Sequence, residues 1–307
     1  MSMMRKWLIL MIAAMLIGCA AVAAEAELSI VCTDFPCYDF ARAVAGGRAD
    51  LSMLIKPGAE VHAYDPAPSD IMAISEADLF IYIGGESDAW AESILDGLGE
   101  KAPRTLRMLD CVTDLIEEEH DEAQAHAVDE DPEYDEHIWT SPVNAARMVD
   151  AVGEVMAQID PDRGDAYLKA AADYSAQIGA IDAEIRRIVD SAKRREMVFA
   201  DRFPFIYFTR AYGIDHIAAF PSCTTDTEPS AQILAKLIRR VADDHLPVVY
   251  TIEMSTQAIA RTVAEETGCR ILTMQSLQTV SQSDFEAGET YVSIMRQNAE
   301  ALKEGLN

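Results

Sequence analysis

Short apolar runs alternate with amphipathic stretches along most of the chain. Leu28 to Cys32 reads as a strand, followed by a helix from Tyr38 to Ala45. Leu51 to Ile55, Leu79 to Ile83 and Thr105 to Leu109 are further apolar runs of strand length. Between them the pattern predicts a helix over Asp70 to Ser75, with Ser69 as N-cap, and another through Trp90 to Leu95. Gly84-Gly85 closes its strand as a turn, and no GxGxxG or P-loop pattern occurs there. Repeated β-α-β units with short connections predict a parallel sheet covered by helices.

The stretch from Glu117 to Glu136 interrupts this rhythm. Eleven of its 20 residues are acidic, it has no apolar period, and it reads as a loop. Structure resumes at Ser141-Pro142, a helix start with Ser as N-cap and Pro at the first helical position. Ala145, Val149, Val152 and Met156 then share one helix face. Pro161 to Lys193 is a long helical segment carrying a stripe of Tyr167, Ala171, Tyr174, Ile178, Ile181, Ile185 and Ile188. At 1.5 Å per residue it spans roughly 45 Å, enough to cross two lobes.

The second half repeats the α/β theme. Strands are expected over Met197 to Ala200, Asp215 to Ala219, Val248 to Ile252 and Ile271 to Met274. Helices are expected over Phe203 to Tyr212, Ser230 to Ala242, from a cap at Ser255 to Gly268, and over Thr290 to Leu302. The fold class is therefore α/β, in two lobes, each a parallel sheet with flanking helices, joined by one long rigid helix. The expected organisation is a signal peptide and linker over 1–24, an N-terminal lobe over 25–159, a connecting helix over 160–194 and a C-terminal lobe over 195–307. Ligands of such folds bind in the cleft beyond the strand C-termini.

Charge narrows the function. Acidic residues number 52 against 25 basic ones, a formal net of -27. Such a surface repels phosphate backbones and attracts cations, which excludes nucleic-acid binding as a main role. At the N-terminus, Arg5 and Lys6 precede an apolar run from Trp7 to Ile17 that is too short to span a bilayer. It ends in Leu16-Ile17-Gly18-Cys19, a pattern resembling a lipobox with Cys19 as the lipidated residue; cleavage within Ala21-Val22-Ala23-Ala24 is the alternative. Five further cysteines, Cys32, Cys37, Cys111, Cys223 and Cys269, include no CxxC pair, and their pairing is open.

Six histidines are available, and two occupy comparable settings. His62 lies in a loop after a strand and His137 just before the Ser141 helix start, at the same expected edge of the first lobe. Imidazole suits zinc and also manganese, with carboxylate oxygens completing such sites.

The segments around them resemble the solute-binding proteins of zinc and manganese ATP-binding-cassette importers, a family that includes adhesin-like lipoproteins. The likeness rests on Pro57-Gly58-Ala59-Glu60-Val61-His62 with Tyr64-Asp65-Pro66-Ala67-Pro68-Ser69-Asp70, on Ala77-Asp78-Leu79 running to Gly84, and on Asp135-Glu136-His137-Ile138-Trp139-Thr140-Ser141-Pro142. Tyr207-Phe208 with Tyr212-Gly213, Thr227-Glu228-Pro229-Ser230, and Tyr291 with Met295 to Asn298 continue it in order over nearly the whole mature chain. The resemblance implies a metal-type periplasmic binding protein fold and a buried site with two ligands from each lobe. It implies capture of zinc, or manganese, without catalysis, for a membrane permease. The expected carrier is a lipid-anchored extracytoplasmic monomer. His62 and His137 match the family's first-lobe histidines. In the second lobe Arg202 stands where the family has His or Glu, and a guanidinium cannot ligate a metal. Asp201 beside it is the expected third ligand, and Gln275, after the last strand, the fourth. Because an amide is a weak neutral ligand, three protein ligands and a water are the alternative. The family counterpart of the acidic loop is thought to gather metal; here a merely solvated loop is equally open. An exported zinc-dependent hydrolase is the alternative class, although no HExxH occurs; a chelate or haem binder is a third.

Overall fold

The continuous apolar runs become the interior strands of two parallel sheets. The computed structural model describes residues 27–117, 133–221 and 229–307. Cys19 and the leader, His120 and His126 of the acidic segment, and Cys223, Thr227 and Glu228 lie outside the described residues. In the first half, β1 (Leu28–Cys32), α1 (Phe35–Ala45), β2 (Ala49–Met53), α2 (Pro68–Glu76), β3 (Leu79–Tyr82), α3 (Ala89–Leu98) and β4 (Arg104–Arg107) form a parallel sheet of order β2-β1-β3-β4. The second half repeats that order as β6-β5-β7-β8. Its elements are β5 (Glu196–Phe199), α6 (Ile206–Tyr212), β6 (Asp215–Ala218), α7 (Ala231–Asp243), β7 (Val248–Thr251), α8 (Ala258–Thr267) and β8 (Arg270–Thr273). Between the halves run α4 (Pro142–Ile159) and α5 (Gly164–Ser191); α9 (Gln282–Ala287) and α10 (Tyr291–Leu306) close the chain. Strands β3 and β7 are buried along their whole length, whereas β2 alternates and β8 is exposed at both ends. Interior strands of a parallel sheet are covered on both faces, so they tolerate no polar alternation.

Local chemistry shifts several helix starts from their expected places. Helix α1 begins three residues early, because Asp34 caps it by accepting the Cys37 N–H (3.3 Å) and Pro36 suits its first turn. Ser69 does not cap α2. Pro68 opens that helix, and Asp70 reaches back to accept the Ala67 N–H at 2.8 Å. Ser255 likewise stops short of α8: its hydroxyl accepts from Gln257 N (3.0 Å) in a turn where Met254 and Gln257 have positive φ. The six-residue α9, capped by Ser281, is too short to show a period in sequence.

Helix α5 is the connector. It has 28 residues, about 42 Å of helix, and follows a 3-10 turn at Pro161–Arg163. All seven residues of its apolar stripe are buried. The helix packs on α1 and α4 from the first half and on α6 and α10 from the second. Contact with α4 is close at Gly153, where a Cβ would lie 2.6 Å from that of Ala171. One apolar cluster therefore runs unbroken from β1 through α5 to Leu306.

A buried carboxylate ties this arrangement together. Asp39 of α1 is fully buried and pairs with Arg42 at 2.6 Å. It also accepts the Tyr174 hydroxyl of α5 (2.5 Å) and the Tyr291 N–H that opens α10 (3.0 Å). Replacing it with alanine leaves these donors without an acceptor. Asp39→Ala is expected to cost about 3–5 kcal/mol in urea unfolding, and Asp39→Asn less, since its amide oxygen still accepts. A loss below about 1 kcal/mol for the alanine variant would remove Asp39 from this role.

Candidate functional site

Loops leaving the C-terminal ends of both sheets meet in one cleft. From the first half, the loop after β2 carries His62. Its exit is set by Tyr64, whose hydroxyl donates to Asp70 of α2 (2.7 Å) and whose ring packs edge-on against Trp90 of α3 at 5.2 Å. The Asp65-Pro66-Ala67-Pro68 run thus lies between two anchored ends. The His62 ring is gripped on both sides: Nδ1 is 2.7 Å from Ser87 Oγ, and Nε2 is 3.2 Å from Gln278 Nε2. With Nδ1 protonated toward the serine, Nε2 is the basic nitrogen and faces the second lobe.

Ser87 belongs to the loop after β3. Its N–H donates to Glu136 Oε1 at 2.6 Å. Gly85, at φ +90°, makes room for this carboxylate; a Cβ there would sit 2.5 Å from Glu136 Oε1. Gly84, at φ +91°, leaves room for the Arg107 side chain instead, so the two glycines after β3 have separate packing reasons. His137 is buried, and Asp135 Oδ1 accepts from both its backbone N–H (2.9 Å) and its Nδ1 (3.1 Å). The adjoining Trp139 donates Nε1–H to Ser276 O across the cleft at 2.8 Å. Tyr207 of α6 donates to Asp135 O (2.9 Å) and accepts from Ile116 N (3.0 Å). The two imidazole centres stand 6.0 Å apart, tilted by 52°. Two imidazoles each about 2.0–2.1 Å from one zinc ion adopt a separation of this order.

The second half supplies the facing wall. Asp201, after β5, uses Oδ1 for the Arg202 N–H at 2.9 Å, while its Oδ2 is buried without a hydrogen-bond partner. Arg202 reaches over the cleft to Glu60 at 3.2 Å. Gln275 is turned away from the histidines. Its backbone is clasped by Asn298 of α10 (2.7 and 2.8 Å) and its side chain lies on Gln297 (3.3 Å). The residue of that loop that meets His62 is Gln278. Leu277 takes a left-handed conformation, φ +64°, and this turn brings Gln278 back toward the cleft. Counting from the end of a strand cannot register such a reversal. Glu253, after β7, was not anticipated either; Ser276 clamps both its oxygens, through N–H at 2.6 Å and through its hydroxyl. Burial raises its pKa, and the Ser276 hydrogen bonds, with a smaller effect from His137, offset only part of that rise. Among the described residues no three His, Cys, Asp or Glu side chains form a ready-made metal cluster. The described cysteines, Cys32, Cys37, Cys111 and Cys269, are free thiols away from this wall.

A pair of α/β lobes clamped on one long helix, with two imidazoles and an amide meeting between them, is the architecture of a solute-capturing binding protein. The profile of the family described as ZnuA, zinc-uptake complex component A periplasmic, matches residues 30–305, and the chain belongs to that family. It is 31% identical over 283 residues to the zinc-binding lipoprotein AdcA of Streptococcus pneumoniae, covering 92% of this chain but 56% of that protein. The chain thus spans about half the length of that relative. It is 29% identical to the high-affinity zinc uptake system protein ZnuA of Bacillus subtilis, covering 91% of this chain and 88% of the relative. Two solved structures superpose closely. The Zn(II)-bound ZnuA-like domain of Streptococcus pneumoniae AdcA gives a TM-score of 0.76 at 29% identity, covering 92% of this chain and 99% of that one. The metal-dependent lipoprotein YcdH of Bacillus subtilis gives 0.79 at 28%, covering 92% and 100%.

Burial leaves a pH signature beneath the cleft. Desolvation first, then Asp88, raises the Asp34 carboxyl from 3.8 to about 7. Burial likewise raises Asp88 to about 6 and Glu136 to about 7. These groups hold protons in the folded chain that the unfolded chain has lost, so stability rises as pH falls from about 7 toward 4. His62 opposes them: burial first, then His137, lowers it from 6.5 to about 4, so it favours folding at higher pH. Three groups outweigh one. The metal-free protein is expected to melt at a higher temperature at pH 5.5 than at pH 7.5. Asp34→Asn, which mimics the protonated form, should narrow that gap in scanning fluorimetry; an unaltered gap would show that Asp34 does not contribute.

Proposed function

We propose that the chain captures zinc outside the cytoplasm and hands it to the membrane permease of an ATP-binding-cassette importer. The observation that carries this reading is the pair of imidazoles 6.0 Å apart, one of which, His62, meets Gln278 across the cleft. Relatives named for zinc binding and zinc uptake support it. Ser87 and Asp135 orient the rings, so each can present one nitrogen to the cation. Gln278 serves as the second-lobe donor by rotating its amide to offer Oε1, and water completes the tetrahedron. Asp201 remains nearby as a carboxylate with one unpartnered oxygen, and Gln275 acts as scaffold for the loop. Two imidazoles and an amide suit zinc, with manganese as the weaker cargo. The chain acts as a monomer, tethered through lipid on Cys19, and performs no catalysis. Its lobes are 25–159 and 195–307, with 160–194 as the stiff link. That link limits lobe rotation, so release depends on the permease prising the donors apart.

Zinc calorimetry on the chain from residue 27 onward tests this. One site is expected, and the double variant His62→Ala, His137→Ala should lose more than roughly 100-fold in affinity. Gln278→Glu places a charged oxygen on the cation and should strengthen binding by about tenfold or more, whereas Gln275→Ala should leave it within about twofold. Unaltered affinity in the double histidine variant would end the zinc reading.

A further inference from the structure

An ion leaves a buried site where one of its ligands can move, and the two histidines differ in this respect. His137 is buried, and contacts from Tyr207 and Trp139 pin its loop to the second lobe. His62 is half-buried and sits on a strap, residues 56–63. The strap starts after Ile55, whose N–H donates to Thr33 O at 2.9 Å, and ends before Tyr64, held by Asp70 and Trp90. Alternate residues of the strap each meet a different residue of the second lobe. Gly58 N–H donates to Thr279 Oγ1 at 3.0 Å, Arg202 donates to Glu60 at 3.2 Å, and Gln278 donates to His62 at 3.2 Å. Arg202 comes from the loop after β5; Gln278 and Thr279 come from the loop after β8.

This attachment is polar rather than packed. A cavity of about 300 Å³ has Gly58 to Val61 of the strap on one side and second-lobe residues such as Ala200, Phe220 and Ile252 on the other. Val61 is the buried residue of the strap, yet it joins none of the three apolar clusters among the described residues. Lifting the strap therefore breaks point contacts and uncovers little packed core. Parting the lobes instead breaks the apolar cluster that runs through α5. The strap is thus the part of the site that opens at least cost.

We propose that Arg202 and Thr279 are positioning residues that latch this strap, and His62 with it, onto the second lobe, so that unlatching governs how fast zinc leaves. This rests on the zinc reading above and deepens it: polar contacts beside the ion complete capture, and the lobes need not rotate. It also gives a guanidinium a role where a metal ligand was expected. Arg202 joins the lobes through Glu60 as a shared ligand would, without touching the ion. The Arg202 side chain is 24% exposed and that of Glu60 53%, so the pair contributes modestly and opens readily, as a latch must.

Two measurements on the full chain test the latch. In the first, zinc-loaded protein is mixed with an excess of fluorescent zinc chelator in a stopped-flow instrument. Arg202→Leu is expected to release zinc about threefold faster than wild type, and Thr279→Val about fivefold faster. Arg202→Lys should fall nearer to wild type than the leucine variant. Glu60→Gln should add nothing to Arg202→Leu, because the two changes remove one interaction. In the second measurement, hydrogen exchange of the strap amides is followed by mass spectrometry in the metal-free chain. It should quicken about threefold or more in Arg202→Leu and in Thr279→Val. Release within about 1.5-fold of wild type in both variants would overturn the latch, even where strap exchange quickens. Fully additive effects of Glu60→Gln and Arg202→Leu would overturn it as well. Either outcome leaves zinc capture standing, since every variant would still load with the metal. A wild-type chain that loads no zinc would overturn the zinc reading, and strap exchange, read without metal, would still show whether Arg202 and Thr279 hold the strap.

Discussion

Asp39 is the point on which the cleft depends. A carboxylate buried on α1 would be a liability if unpaired. Here it accepts from the side chain of α5 and the first N–H of α10 while pairing with Arg42. Those helices belong to both halves of the chain, so this one anion fixes where the second sheet stands relative to the first. The apolar stripe of α5 supplies the bulk of the burial, but apolar contact is non-directional. Directional bonds at Asp39, at Tyr291 to Trp139 O (2.8 Å) and at Tyr207 to Asp135 O (2.9 Å) select the register of the halves. Because the last two end on residues flanking His137, the same contacts that align the lobes also position a histidine.

The two walls of the cleft are built differently. The first-lobe wall is a braced lattice: Ser87, Glu136 and Asp135 hold the imidazole-bearing loops through side-chain bonds of 2.6 to 3.1 Å. The second-lobe wall is made of sharply turned loops, with Met254, Gln257 and Leu277 all at positive φ. Non-glycine residues in that region carry a conformational cost that surrounding contacts must offset. Ser276 provides such contacts by clamping Glu253 and accepting Gln278 N–H at 3.2 Å. The two imidazoles thus sit on an orderly wall opposite a strained one.

Much of the fold was legible in sequence because apolar periodicity reports burial. Each expected strand has a counterpart shifted by two residues or fewer, and the α5 stripe from Tyr167 to Ile188 is buried as its spacing implied. Helix starts were less legible. Ser69 and Ser255 look like caps, yet the capping bonds go to Asp70 and to a separate turn. The first-lobe histidines were legible because each follows a strand and is flanked by motif residues that anchor elsewhere. The side chains of the second-lobe wall that face His62 were not. Between Gln275 and Gln278 lie Ser276 and the left-handed Leu277, and nothing in the Met274-Gln275-Ser276-Leu277-Gln278 string distinguishes an amide facing α10 from one facing His62. Glu253 escaped notice for the same reason, since its partner Ser276 lies on another loop.

Arg202 gives the site its character. It is a permanent cation that bridges the cleft to Glu60 in a partly exposed ion pair. Burial first, then His137, holds the His62 pKa down to about 4, and Glu60 raises it by more than Arg202 lowers it, so the imidazole stays neutral in mildly acidic surroundings because of burial. The repulsion of a divalent ion by Arg202 is offset by Glu60, Asp201 and Glu253 on the same walls. On the zinc reading proposed above, the cleft must release its ion as well as bind it. A neutral amide opposite two imidazoles holds zinc less firmly than a carboxylate, and the Glu60–Arg202 bridge can re-form when the ion leaves. On that reading, affinity given up at Gln278 lowers the work of release, while the charged bridge keeps the cleft shaped for the next ion.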